Sequence, residues 1–287
     1  MPHANTKGVL YVVATPIGNL EDITHRAVRI LREASLIACE DTRQTRKLLD
    51  HYAITTPTIS YHEHNEAARA EELVGKLEQG STIAQVSDAG MPGLSDPGYR
   101  VITLAIDHGI TVVPIPGASA LTVALVGSGL ATDAFEFRGF LPAKSGQRRT
   151  VLEALRAAPH TIVVYEAPHR IRETLEDVVT VLGPERPVVV ARELTKMHEE
   201  FIRGTAREVQ QRIAQREPKG EITLLIGAGR SQPQARAPKN LAESLEEIMR
   251  EQKLDEKAAL KILAKEAGSS KSELYRELQR LKRPGRR

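Results

Sequence analysis

The residues best suited to chemistry lie in VSDAGMPGLSDPG (86–98), which places three Gly and two Pro within residues 90–98. This loop directly follows an apolar run of strand type, and ligands of parallel α/β sheets bind beyond the carboxyl ends of strands. Loops of this length in compact domains are mostly functional. Its glycines expose backbone N–H and C=O groups, and Asp88 can accept hydrogen bonds from hydroxyl or amino groups. Similar polar stretches follow three other apolar runs: TPIGNL (15–20), EDTRQT (40–45) and HEHNE (62–66). PGASA (116–120) opens a helix whose free N–H groups suit a carboxylate or other anion. Any one of these is equally an N-cap or a surface ion pair, so their convergence on one sheet edge is what makes a site.

Convergence requires elements that place the loops together. Strand-type runs are expected at 9–14, 36–39, 58–61, 82–86, 110–113, 161–165, 188–191 and 222–226. Several are continuously apolar, as strands covered on both faces should be. Between them, 24–33, 66–77, 171–182 and 206–215 carry helical periodicity. The alternation predicts an α/β fold with largely parallel sheets. The stretch 132–145 reads as irregular. Domain boundaries are therefore expected at 1–115 and 116–230 for two α/β domains, 231–240 for a polar linker, and 241–287 for a small all-α module. In that module 241–252, 255–267 and 270–281 are helical in pattern. Ser270 and Glu273 match a capping box, and the Gly268 turn gives a helix-turn-helix-like outline.

Other chemistries find no support. A single cysteine, Cys39, excludes an intrachain disulfide framework and a Cys-rich zinc site. His62 and His64 lack a convincing third ligand, so no metal is expected. Neither a dinucleotide-binding nor a P-loop glycine pattern is present. Residues 109–132 carry no charge, but Pro114, Pro116 and Gly117 interrupt them, and no secretory pattern opens the chain. A cytoplasmic location without membrane contact follows as an expectation.

TPIGNLED, EDTRQT, SDAGMPGLSDPG, PGASA, YEAPHR, RELTKMHEE and KGEITLLI, in this order, resemble the tetrapyrrole-methylase superfamily. Within it the likeness is to the family that 2′-O-methylates a cytidine of bacterial 16S ribosomal RNA, and it covers about residues 8–287. The resemblance implies two α/β domains around an S-adenosylmethionine cleft, a homodimer, and a target near the decoding centre of the small subunit. Where the superfamily commonly has Gly-Asp-Pro, this chain has Ser87-Asp88-Ala89, which leaves Asp88 as the matching carboxylate. The resemblance implies cofactor contacts from Pro16, Asp88, Gly90 and Met91 in the first domain. From the second it implies Ser119, Ala120, Tyr165, Glu166, Gly220 and Glu221.

A ribose hydroxyl is a weak nucleophile, so its methylation gains from a base or a cation near the developing oxyanion. Asp41, Arg43, Glu66, Arg192, Glu193, Lys196, His198 and Glu199 are candidates, and Asp41, Arg43 and Lys196 are assigned the catalytic roles. Lys196 suits a base if burial or neighbouring cations lower its pKa, and otherwise suits phosphate binding. Asp41 and Arg43 equally read as a structural ion pair.

The formal charge of +3 is unevenly spread. Residues 231–287 hold 14 Lys+Arg and 9 Asp+Glu, a net of +5, leaving 26 against 28, or −2, for residues 1–230. Lys271, Arg276, Arg280, Lys282 and Arg283 are the expected RNA contacts in this basic module. Two other functions fit part of the pattern. A tetrapyrrole or other small-molecule methyltransferase would share the cleft but leave the basic module without a use. A metabolite-sensing DNA-binding regulator would use the module, yet Glu273 and Glu277 fall on its recognition helix.

Overall fold

The computed structural model describes residues 7–229, 245, 248–250, 255–266 and 274. It divides into two compact units, 1–229 and 230–287. The first sheet is built from β1 (Val9–Val13), β2 (Leu36–Cys39), β3 (Thr58–Ser60), β4 (Ile83–Val86) and β5 (Thr111–Ile115), in the order β3-β2-β4-β1-β5. All its pairings are parallel. Alternate residues of one strand enter different cores. Ile37 and Cys39 pack with Ala27, Ile30 and Leu31 of α1 (His25–Glu33), and with Leu49 of α2 (Thr42–His51). Ala38 and Ile83 pack instead with Leu73 and Leu77 of α3 (Glu66–Glu78), and with Val101 and Ala105 of α4 (Tyr99–Asp107). Two covered faces explain the continuously apolar strands.

β5 runs through Pro114, where the apolar run had been expected to stop at 113. The strand lies at the sheet edge, where a missing N–H costs no ladder bond, and Pro114 pairs opposite Val12.

The second sheet corrects the expectation of largely parallel pairing. It contains β6 (Phe135–Phe140), β7 (Thr161–Glu166), β8 (Pro187–Arg192), β9 (Glu200–Thr205) and β10 (Ile222–Ile226), ordered β6-β7-β10-β8-β9. Only β6 and β7 are parallel; the other three pairings are antiparallel. One face packs on α6 (Ser145–Ala154), α7 (Ile171–Leu182) and α8 (Ala206–Ala214). The other face, through Val163, Val189, Ala191 and Leu225, packs on Leu121, Ala124 and Leu125 of α5 (Ala120–Ser128). Ile17, from the loop after β1, joins this same cluster, so the apolar seam continues from one sheet to the other. The expected boundary near residue 115 falls between the end of β5 and the start of α5.

The stretch read as irregular and one of the polar stretches after a strand are ordered elements. Residues 132–145 contain β6, and EDTRQT runs into α2, with Asp41 as its N-cap accepting from the Arg43 N–H at 2.8 Å. In the second unit, α9 (Glu256–Glu266) buries Ala259, Leu260, Leu263 and Ala264 with Leu245 and Leu274. The linker and most of the expected flanking helices lie outside the described residues.

Candidate active site

The loops after β1 and β4 are tied to each other. Thr15 and Gly90 exchange backbone hydrogen bonds of 2.9 and 3.0 Å, and the Thr15 hydroxyl donates to the Ser87 carbonyl. The adjacent order of β1 and β4 makes this possible, since parallel neighbours end at the same edge. Gly90 has φ +79°, a conformation that glycine adopts without steric cost.

Between these loops and the second sheet lies a cavity of about 330 Å³. The first sheet contributes Ile17, and its long loop contributes Gly90, Met91, Leu94, Ser95 and Asp96. Ser119 and Ala120 come from the start of α5, Tyr165 and Glu166 from the end of β7, and Glu221 from the residue before β10. Seven of the ten cofactor positions expected from sequence therefore line one cavity: Gly90, Met91, Ser119, Ala120, Tyr165, Glu166 and Glu221. Pro16, Asp88 and Gly220 do not line it. Asp88 instead accepts from the Asp41 N–H at 3.1 Å, holding the ends of β4 and β2 together. Gly220, at φ +80°, makes room for Glu193, whose Cδ lies 2.2 Å from where a Cβ would stand.

Each polar wall has its own support. Glu166 is 2% exposed; its carboxylate accepts from the Thr174 hydroxyl at 2.6 Å and the Ala167 N–H at 2.8 Å, and pairs with Arg170. Tyr165 packs edge-on against Phe137 and Phe140, and burial pushes its phenol pKa up. Ser119 is the N-cap of α5 but makes no side-chain cap bond, so the cavity sits at an uncapped helix N-terminus.

Carboxylates gather at the ends of β2 and β4. Burial, then the neighbouring Asp88, raises the pKa of Glu40; burial also raises that of Asp88. Asp96 is affected most: burial and then Glu40 push its pKa up to about 6, against an opposing hydrogen bond from Ser87. Sequence reasoning missed Asp96 although a signal was present. The loop contains two Ser-Asp pairs, 87–88 and 95–96, and only the first was assigned.

The three residues assigned catalytic roles fall in two places, neither on the cavity wall. Asp41 and Arg43 form a local ion pair of 2.7 Å, and the Arg43 guanidinium holds the Asp41 pKa down at about 2. Lys196 bridges Glu193 at 2.9 Å and Glu221 at 3.0 Å, which connects it to the wall through Glu221. Partial burial acts to lower the Lys196 pKa, but hydrogen bonds to the two carboxylates exceed it and the pKa is raised. The neighbouring cations that a free-base amine requires are replaced here by carboxylates. Lys196 sits in a strained turn, with Glu193 and Thr195 both at positive φ, a backbone state often found at functional sites. The five expected RNA contacts, Lys271, Arg276, Arg280, Lys282 and Arg283, lie outside the described residues.

Among the described residues no group of three or more His, Cys, Asp or Glu is placed to hold a metal ion, and no helix is long and apolar enough to cross a membrane.

Comparison with known proteins places this geometry. The family described as Tetrapyrrole (Corrin/Porphyrin) Methylases matches residues 9–210. The chain is 49% identical to "Ribosomal RNA small subunit methyltransferase I" of Synechocystis sp. over 93% of this chain and 96% of that one. It is 43% identical to the protein of the same name in Escherichia coli O157:H7, over 95% of each. Among solved structures, diphthine synthase superposes with a TM-score of 0.63 at 14% identity, covering 77% of this chain and 90% of that one. A Thermus thermophilus uroporphyrin-III C-methyltransferase complexed with S-adenosylhomocysteine gives 0.55 at 18% identity, over 77% and 97%. These two structures share the fold. On the full-length identities and the matched domain, the chain belongs to the tetrapyrrole methylase family, in its ribosomal RNA small subunit methyltransferase I branch.

Proposed function

We propose that the protein transfers a methyl group from S-adenosylmethionine to the ribose 2′-oxygen of a cytidine in 16S ribosomal RNA, near the decoding centre. The observation that carries this reading is the near-full-length identity to relatives bearing the rRNA methyltransferase name. The tetrapyrrole-acting neighbour shares only the fold, so a small-molecule substrate has weaker support. A cytoplasmic homodimer acting on the small subunit completes the proposal.

The cavity fits the cofactor by its chemistry. Its volume falls within the roughly 300–1,000 Å³ common for small-molecule sites. Ile17, Met91, Leu94 and Leu194 offer apolar surface to a purine and a thioether. The uncapped N-terminus of α5 suits a carboxylate, and Asp96 and Glu221 complement positive charge. When bound, S-adenosylmethionine supplies an electrophilic methyl group on a sulfonium. The chain's own contribution is to orient and to exclude water: two tied loops fix one wall, and the β7 end fixes the other. Lys196, kept cationic by Glu193 and Glu221, is assigned phosphate contact in this reading rather than base chemistry.

Incubation with methyl-labelled S-adenosylmethionine and small subunits, followed by nuclease digestion, is expected to yield labelled 2′-O-methylcytidine. Label confined to a small molecule would refute the RNA reading. Removing residues 231–287 is expected to weaken RNA binding and flatten its salt dependence while changing cofactor affinity less than twofold. Unchanged RNA affinity would take the basic module out of substrate binding.

A further inference from the structure

The connection from β8 to β9 carries the most exposed large apolar side chain among the described residues, Met197, at 93%. Its backbone is fixed from several sides. The Glu199 N–H donates to the Lys196 carbonyl at 3.1 Å, closing a tight turn with Met197 at its first central position. The Thr195 N–H donates to the Glu199 carboxylate at 2.7 Å, and the Lys196 N–H to the Glu193 carbonyl at 3.0 Å. Glu193 is tied in turn to the residue before β10: its N–H donates to the Glu221 carbonyl, and its carboxylate accepts from the Glu221 N–H, both at 3.0 Å. A hydrogen-bonded frame thus holds this apolar side chain out in water, against the tendency of such surface to be buried.

A single exposed methionine is ordinary on a protein surface. Met197 has company. Leu194, three residues earlier, and Glu221, the anchor of the frame, both line the cofactor cavity. Leu94 and Phe140 line it too and are 42% and 55% exposed. Leu20, 38% exposed, lies two residues beyond Gly18, whose backbone abuts the Lys196 stem. Half of the eight exposed large apolar side chains among the described residues therefore belong to the cavity wall or to the two loops that meet beside it.

We propose that Met197 is a positioning residue that enters the RNA stack beside the target nucleotide and holds open the gap which that nucleotide vacates. This rests on the RNA methyltransferase reading above and adds to it the device that presents the substrate. A nucleotide inside a stack cannot bring its ribose to an electrophile held in a cavity, so it must leave the stack. An apolar side chain that wedges between the remaining bases replaces part of the contact they lose, and methionine is among the residues used in this way. Its thioether is polarisable and packs well against aromatic rings. Lys196, one residue away and kept cationic by Glu193 and Glu221, suits the phosphate of the strand so entered.

The test is Met197→Ala in the full-length protein, with Met197→Leu beside it. Because the side chain is exposed, both variants are expected to melt within about 2 °C of wild type and to bind S-adenosylmethionine within about twofold. On small subunits, kcat/KM is expected to fall about 10- to 100-fold for Ala and less than about threefold for Leu, which keeps the apolar volume. Once the labelled cytidine is mapped, 2-aminopurine placed next to it in reconstituted subunits gives a readout independent of turnover. Its fluorescence is expected to rise when wild-type protein binds with S-adenosylhomocysteine and to stay low with Met197→Ala. A kcat/KM for Met197→Ala within threefold of wild type overturns the proposal, as does equal damage by Leu and Ala. So does a dimer that dissociates in Met197→Ala with turnover restored at higher protein concentration, which would assign Met197 to a contact between two copies. If wild-type protein leaves the RNA unlabelled, the RNA reading itself fails; if wild type labels RNA and Met197→Ala does so at the same rate, only the wedge fails.

Discussion

Replacing Asp177 by Ala is expected to lower the unfolding free energy by about 3–5 kcal/mol, the usual cost of removing one partner from a buried ion pair. Asp177 in α7 is 2% exposed and Arg148 in α6 is 1% exposed. Arg148 Nε donates to the carboxylate at 2.6 Å, Arg149 Nε at 2.5 Å, and the Ser145 hydroxyl at 3.1 Å. Ala would leave the buried Arg148 guanidinium with only the longer 3.7 Å pairing to the exposed Glu173 and the Ala143 carbonyl, at the seam where α6 meets α7 over the second sheet. Urea unfolding followed by circular dichroism measures the effect, and a loss under 1 kcal/mol would show that the network is not a unit. Burial alone would raise the Asp177 pKa, yet the donors from Arg149, Arg148 and Ser145 exceed it and the pKa is lowered. Its stabilisation is therefore complete above the unfolded pKa of roughly 3.9 and is lost as pH falls through the folded value. Asp177→Asn should accordingly lack that part of the acid-induced loss which wild type shows.

A large effect on cofactor binding is expected from Gly98→Ala. Gly98 sits at φ +153°, and an added Cβ would lie 2.6 Å from Gln85 Nε2 and 2.9 Å from the Gly93 backbone nitrogen. Gln85 is 1% exposed and donates to the Pro97 carbonyl at 2.9 Å, so it has little room to yield. The loop must then open at its base, moving Met91, Leu94 and Asp96 on the cavity wall. A weakening of S-adenosylmethionine binding by tenfold or more is expected, equivalent to about 1.4 kcal/mol, with a stability loss of about 1–3 kcal/mol. Gly75→Ala in α3, where a Cβ meets nothing within 4 Å, is the control and should leave binding unchanged. Equal affinity in Gly98→Ala and Gly75→Ala would show that the loop tolerates rearrangement.

The first sheet was legible because all five strands are either apolar throughout or end at a polar loop, and parallel α/β units advertise both features. The second sheet was half hidden. β6 and β9 are its two edges, and FEFRGF and EFIRGT mix charges and glycine into runs too polar to read as buried strands. Antiparallel pairing could not be read at all, since β8 and β10 look the same in sequence whichever direction their neighbour runs. At the site, residues with chemical signatures were legible and those without were not. Ile17, Leu94 and Leu194 became cavity walls only through folding. Asp96 was visible but stood second to an identical Ser-Asp pair, and only its place on the cavity wall separates it from Asp88. The difference between Lys196 as base and as fixed cation also needed its neighbours, because Glu221 approaches from 25 residues away.

The contact between Lys196 and Gly18 constrains how this sequence can drift. A methyl group at position 18 would stand 2.4 Å from the Lys196 Cγ and 2.9 Å from its Cε, so the stem of one residue occupies the side-chain space of the other. Positions 18 and 196 are therefore expected to be coupled: Ala or Ser at 18 requires 196 to shorten or turn away and the Thr195 hydroxyl, 3.1 Å from the added Cβ, to give slightly. A shorter residue at 196 in turn abandons Glu193 and Glu221. Mutational paths through this corner of the cleft must change both sites together, and single-residue exchanges with more distant family members are expected to fail where paired exchanges succeed.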